Sequence, residues 1–159
     1  MTLPEVVARA RSASGSNCIY ELGKGGMVPW AEVPWDEAKH CDCSGLAMWC
    51  LYLSRHQGDD WINTDRMVTD GKTPGGLFEQ IPWELAKPGH LIVYGRGGPG
   101  KYGHVGVVSD VDVTGPIKAV HCSKGNFKKT GDAIQETGVG VWRLRADTII
   151  VRCLQVVES

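Results

Sequence analysis

The segment Tyr102–Cys122, YGHVGVVSDVDVTGPIKAVHC, reads as two strands joined by a turn. Runs rich in Val and Ile flank the turn signals of "DVTGP", the pattern of a β-hairpin. Folding the segment about its middle is expected to bring His104, at the start of the first strand, level with His121, at the end of the second. Side chains alternate along a strand with period two. His104, Gly106 and Val108 therefore share one face, as do Ile117, Ala119 and His121. Two histidines become neighbours at one end of a sheet, and Gly103 and Gly106 leave the first of them accessible.

Outward from this hairpin, "HLIVYG", "GVWRL" and "TIIVRCLQVV" read as further short strands. The N-terminal half has a different texture. In "LPEVVARARS", Leu3, Val6, Val7 and Ala10 fall at helical spacing with Pro4 in the first turn. Residues 17–35 are broken by Gly and Pro and read as loop with room for one turn of helix. "SGLAMWCLYLSR" is apolar nearly all round, which predicts a buried helix. Residues 56–89 read as irregular, with a short helix near Phe78. Helices first and strands second, without βαβ alternation, predict an α+β domain with a C-terminal antiparallel sheet, a single unit over residues 1–159.

Composition narrows the function classes. The 159-residue chain is 42% apolar and 22% charged, ordinary values for a globular protein that buries a core. Its formal net charge of −1 supplies no basic field for nucleic acid or an anionic membrane. No apolar run approaches the ~20 residues that span a bilayer. The 21 glycines cluster in "LGKGG", "DGKTPGG" and "GRGGPG", which reads as tight turns on one core. The N-terminus lacks the apolar stretch of a Sec signal peptide. Six cysteines are too few and too uneven for a disulfide scaffold, and pairing of Cys18 with Cys153 stays open.

The candidate chemistry starts at "HCDCSG", residues 40–45. Asp42 is suited to cap the following helix, which sets Cys43 in the first turn. Unpaired N–H groups there favour a thiolate, and Gly45 leaves room for a substrate chain. A thiolate nucleophile needs a base, and the base an orienting partner; the two histidines of the hairpin supply them if the buried helix packs on their face. Two alternatives use the same residues. One is a zinc protein built on His40, Cys41 and Cys43 with His121 and Cys122, for which Cys-x-Cys is poor spacing. The other is an idle module that binds wall peptides or a partner. Cys50, inside the apolar run, reads as core.

Together "CIYELGKGG", "HCDCSGLAMWCL", "KPGHLIVYG", "YGHVGVVSD" and "VHCSKGN" resemble the NlpC-type papain-like cell-wall peptidases, from Cys18 to Asn126. The resemblance implies a nucleophile helix packed on an antiparallel sheet, with Cys43 as nucleophile, His104 as base and His121 as orienter. It also implies Tyr20, Asp42 and Ser44 as substrate contacts, with Gly45 beside them. The implied substrate is a peptidoglycan stem peptide, cut between γ-D-glutamate and a diamino acid, with no cofactor and no metal. Gly89-His90 stands where the family usually has Gly-Asp. A lone catalytic domain of this size resembles the small amidase effectors of type VI secretion, or phage-type lysins. The expectation is a monomer made in the bacterial cytoplasm and delivered to the periplasm or wall by a non-Sec route, with an immunity or inhibitor protein as a further partner.

Overall fold

A computed structural model describes residues 1–97 and 101–158 of the chain. Part of the "GRGGPG" stretch therefore lies outside the described residues. Helix α1 spans Leu3–Ala13 and begins with a capping box. The Thr2 hydroxyl accepts from the Glu5 N–H and the Glu5 carboxylate accepts from the Thr2 N–H, which satisfies two donors that have no partner inside the helix. The apolar positions read from the sequence, Leu3, Val6, Val7 and Ala10, are the buried ones, with Ala13. Two short strands, β1 (Ile19–Tyr20) and β2 (His40–Cys41), pair in parallel and bracket a long loop.

Helix α2 covers Cys43–Cys50, and all eight of its residues are buried. It ends five residues before the apolar run does. Tyr52 takes a left-handed backbone conformation, φ 61°. The Leu53 N–H then reaches the Met48 carbonyl and the Tyr52 N–H the Trp49 carbonyl, a Schellman stop made without glycine. The chain continues through a minor hairpin, β3 (His56–Gln57) and β4 (Asp60–Trp61), into helix α3 (Thr64–Lys72). Asn63 caps α3 by accepting from the Arg66 N–H. The sequence reading of residues 56–89 as irregular misses α3, which buries only Thr64, Met67 and Asp70 and so leaves little periodicity to read.

The helix expected near Phe78 is instead strand β5 (Phe78–Ile81), paired antiparallel with the last strand of the chain. A single 3₁₀ turn, Trp83–Leu85, leads to β6 (Leu91–Tyr94), β7 (His104–Asp112) and β8 (Gly115–Cys122). Helix α4 (Lys124–Thr130), β9 (Ile134–Gly138), α5 (Gly140–Arg143) and β10 (Ile149–Cys153) complete the described chain. "GVWRL" was expected as a strand but contains α5, and its Trp142 is fully buried against the sheet. The sheet has six antiparallel strands in the order β5-β10-β6-β7-β8-β9.

This sheet carries a core on each face. Val105, Val107, Val120 and Cys122 pack with the residues of α1 and α2 on one side. Val108, Ala119, Ile92 and Ile150 pack with Trp142 on the other. The expected architecture is present: the helix that carries Cys43 lies on a C-terminal antiparallel sheet. The face differs from expectation, because α2 covers the valine face and the histidines project from the opposite one. A cut-short α2 packed at the start of β7 still places Cys43 at the strand end from which His104 projects.

The hairpin forms as read, turning at Val113–Thr114 with Asp112 opposite Gly115. Asp112 accepts from the Thr114 N–H and hydroxyl, which closes the turn. The register differs from expectation by two residues. Val107 pairs with Val120, so His121 faces Gly106 and meets His104 diagonally. Diagonal neighbours on one face remain in reach of long side chains.

The chain ends are latched together. Thr2 bridges Val157, and the ring of buried His90 accepts from the Lys87 N–H at Nδ1 while its Nε2 bonds the Glu158 carboxylate at 3.0 Å. The Gly89-His90 departure from the family pattern thus serves a turn that ties the C-terminus down. Cys18 and Cys153 do not meet. Cys18 lies with Cys41 beside Cys122 on β8, three strand spacings, or ~14 Å, from β10, well beyond disulfide reach.

Candidate active site

The loop before α2 is organised by a side chain that the sequence reading left out. Arg55 is 1% exposed, and its Nη1 donates to Asp42 Oδ1 at 2.6 Å and to the carbonyls of Lys24 and Gly25. Its Nη2 donates to the Ser44 hydroxyl at 2.7 Å, and the guanidinium lies over the Trp61 ring. Asp42 caps α2 as expected, accepting from the Gly45 N–H at 2.8 Å. Its second oxygen accepts from the Gly23 N–H at 2.7 Å, which holds the glycine loop down. Asp42 and Ser44 do line a cleft, but their polar atoms are engaged by Arg55 and backbone. Gly45 is needed for approach: a Cβ there would sit 2.8 Å from two carbonyls of the loop. Gly26, at φ +74°, would collide with Gly45 if it carried a side chain.

Cys43 occupies the first turn of α2 and is 5% exposed. Burial, with the Asp42 carboxylate adding to it, pushes the thiol up to about 12. The Val105 and Ser44 N–H groups and the Arg55 guanidinium pull the other way. The sequence expectation of a ready thiolate is therefore not met in the resting site. A helix N-terminus is worth about 0.3–1 kcal/mol, too little to offset removal of a sulfur anion from water.

His104 and His121 meet as a pair, with His104 Nε2 and His121 Nδ1 2.8 Å apart. His121 Nε2 in turn lies 2.7 Å from the Thr137 hydroxyl on β9. Trp142 stacks on His104 at 5.0 Å and stands edge-on to His121 at 4.9 Å, with its Nε1–H donating to the His104 carbonyl. Gly106 makes room for this ring, since a Cβ there would lie 2.9 Å from it. Burial, and then its neighbour His121, pull His104 down to about 3; burial pulls His121 down to about 4. Both rings are neutral near pH 7. Val105, the residue after His104, presents its N–H to the Cys43 sulfur, so one strand start serves both groups.

Two recesses flank this point. One of about 690 Å³ is lined by Tyr20, Tyr94, Tyr102, His104, His121 and the α4 lysines Lys124 and Lys129, among others. A narrower cleft of about 260 Å³ contains Cys43, Asp42, Ser44 and Arg55. Tyr20, Leu22, Tyr102 and Gly103 border both, so the recesses adjoin. Tyr20 is thus placed where a chain passing between them runs. Burial, followed by the neighbouring Cys43 and Asp42, pushes its phenol well above the ordinary range.

The donors of the zinc alternative do not gather at one point. His40 Nδ1 pairs with Glu21, while Cys41 and Cys122 are neighbours in the core and Cys122 donates to the Cys41 carbonyl at 3.3 Å. Among the described residues no three His, Cys, Asp or Glu side chains converge as metal ligands. No described helix is long and apolar enough to cross a membrane. Arg55, Thr137 and Trp142 are the side chains that sequence reasoning missed. Only Arg55 left a trace, as a lone cation ending an apolar run.

Two outcomes test this electrostatic picture. Arg55→Met strands a buried carboxylate and is expected to cost about 3–5 kcal/mol in denaturant unfolding; adding Asp42→Asn should recover part of that loss, because Asn still caps the helix. The histidines set a second expectation. Their folded values lie below the ordinary 6.5, so the unfolded chain binds more protons as pH falls. Their contribution to stability is complete above pH ~6.5 and declines on acidification toward pH ~3. Melting temperatures followed across that window should fall less steeply for His121→Asn than for the wild type.

The CHAP domain family matches residues 33–126. This is more than half of the chain, and the chain belongs to that family, a papain-like family of cysteine peptidases and amidases related to the NlpC/P60 superfamily. Membership implies a peptidoglycan-directed hydrolase of the cysteine peptidase or amidase type. No curated protein matches the chain in sequence.

Proposed function

We propose that this CHAP-family chain hydrolyses an amide bond of peptidoglycan stem peptides through Cys43, His104 and His121. The observation that carries the reading is the arrangement at the start of β7. His104 bonds His121, and the next N–H along the strand faces the Cys43 sulfur.

The resting groups are a thiol and a neutral imidazole, so proton transfer accompanies attack rather than preceding it. His104 takes the Cys43 proton as sulfur adds to the carbonyl carbon, and the amide carbonyl becomes an oxyanion. Asp42 already occupies the Gly45 N–H and the Ser44 N–H lies at the Cys43 sulfur, which leaves the Cys43 N–H in the first turn to face that oxyanion. The C–N bond breaks as His104 returns the proton to the leaving amine. Water, activated by the same ring, then hydrolyses the thioester. His121 stays neutral and orients His104.

The recesses favour a branched, anionic peptide. Aromatic walls from Tyr20, Tyr94 and Tyr102 and the cations of Lys124 and Lys129 suit a chain that carries free carboxylates. The resemblance to the NlpC-type peptidases puts the cut between γ-D-glutamate and the diamino acid, and the lysines suit the carboxylates carried there. The catalytic unit extends past the matched segment to the C-terminal strand, because β9, α5 and β10 complete the sheet and the cover of the histidines. The enzyme works as a monomer on the cell wall, with an immunity or inhibitor protein as its protein partner.

The test is digestion of purified peptidoglycan followed by mass spectrometry of the released muropeptides. Wild-type protein is expected to yield fragments ending in D-glutamate. Cys43→Ala, a small change at a packed site, is expected to stay folded by circular dichroism and release none. Wild-type release from Cys43→Ala would remove the cysteine from the mechanism.

A further inference from the structure

The hydrogen bonds around the histidines run on past the expected three residues. Thr137 has one hydroxyl hydrogen, and it donates to the Gly138 carbonyl at 2.9 Å. Toward His121 Nε2, 2.7 Å away, the Thr137 oxygen must therefore accept, so that nitrogen carries the proton. A neutral imidazole has one N–H only, which leaves His121 Nδ1 bare and accepting. His104 Nε2, 2.8 Å from it, is then the donor. The free lone pair of His104 is on Nδ1. The direction of the chain is thereby fixed from Gly138 back to His104.

We propose that Thr137 is a positioning residue that sets the protonated nitrogen of both histidines, and through them places the basic lone pair of His104. This rests on the reading of His104 as the base of the reaction. The three side chains descend diagonally across β7, β8 and β9. Ala119 is directly opposite Thr137 and Gln135 directly opposite His121, so Thr137 reaches His121 from two positions along. Trp142 covers both rings and shields the bonds from water, which strengthens them. An orienting carboxylate or amide presents an acceptor oxygen in any state. A histidine presents an acceptor at Nδ1, the nitrogen that faces His104, in only one of its two neutral forms, and therefore needs a further partner to choose it. Thr137 and Trp142 both lie beyond residues 33–126, so this chain completes its histidine pair with elements outside the family-matched segment.

Without the Thr137 oxygen, His121 gains nothing from a proton on Nε2 and shifts toward the Nδ1–H form. That hydrogen would confront the His104 Nε2–H, and His104 answers by moving its own proton to Nδ1. The base then has its lone pair on the wrong nitrogen. Substrate contacts are untouched, because Thr137 does not line the recesses beside Cys43.

The experiment compares wild type, Thr137→Val and Thr137→Ser, full length, with a soluble stem peptide as substrate and ¹⁵N-histidine NMR as the second readout. Thr137→Val keeps the shape and removes the acceptor. It is expected to lower kcat about 10- to 100-fold, the range for loss of an outer partner of a working histidine, with KM within about twofold. Thr137→Ser is expected to restore kcat. In wild type the ring signals of His104 and His121 should both report Nε2–H, and in Thr137→Val the Nδ1–H form should appear. A wild-type spectrum with the proton on His121 Nδ1 overturns the proposal without any variant. Unchanged kcat in Thr137→Val with unchanged ring signals also overturns it. Absence of hydrolysis by wild type, with ring signals that respond to Thr137→Val as stated, overturns the hydrolase reading and leaves the positioning role standing.

Discussion

The buried pairing of Arg55 with Asp42 is the constraint on which the site depends. One guanidinium gathers the carbonyls of the glycine loop, the helix-capping carboxylate and the Ser44 hydroxyl beside Cys43. Such a pair contributes little net stability, because two charges lose their water. Its value here is geometric. The carboxylate must cap α2 from inside the protein, and only a cation beside it makes that tolerable. Cys43 then starts the helix in one defined place, pressed against the Val105 N–H at the start of β7. Gly26 and Gly45 follow from the same demand, because loop and helix approach too closely there for any Cβ, and a Cβ on Gly25 would strike Cys41 and Pro34.

A second balance sets the chemistry. The helix N-terminus, the Val105 N–H and Arg55 all favour a thiolate, while burial and Asp42 oppose it, and burial wins. The histidines are likewise neutral, because the ring of Trp142 and the sheet displace the water that would hydrate a cation. The resting site is thus an uncharged thiol beside uncharged imidazoles. On the proposed mechanism, charge develops only when a carbonyl arrives to receive it, in surroundings already furnished with N–H donors. A site of this type is protected from stray oxidation and alkylation, since the reactive anion is scarce until substrate is bound.

Much of this was legible in the sequence, and the illegible parts have physical causes. The hairpin was readable because Val and Ile alternate about a turn with its own hydrogen-bonding aspartate. The cap at Asp42 was readable because Ser-Gly and an apolar run follow it. The end of α2 was not, because Tyr52 rather than glycine adopts the left-handed stop. Helix α3 and edge strand β9 were missed because each buries few side chains; β9 reads Ile-Gln-Glu-Thr-Gly, mostly polar. "GVWRL" has strand-like composition, yet tertiary packing decides its state: Trp142 fills the space above Gly106. The roles of Arg55 and Thr137 were illegible for a simpler reason. The two are distant in sequence from the residues they serve, and a single polar side chain has no periodicity.

The central claim is that the Cys43 sulfur becomes covalently acylated by a stem peptide with His104 as its base. Intact-protein mass spectrometry of acid-quenched mixtures of the enzyme with a stem peptide tests this most directly. The account predicts a transient adduct, equal in mass to the acyl half of the peptide less water, that maps to Cys43. The adduct should be absent in Cys43→Ala and should form far more slowly in His104→Ala. Release of cleaved peptide with no adduct at any quench time, and at equal rates in the two variants and wild type, would contradict it.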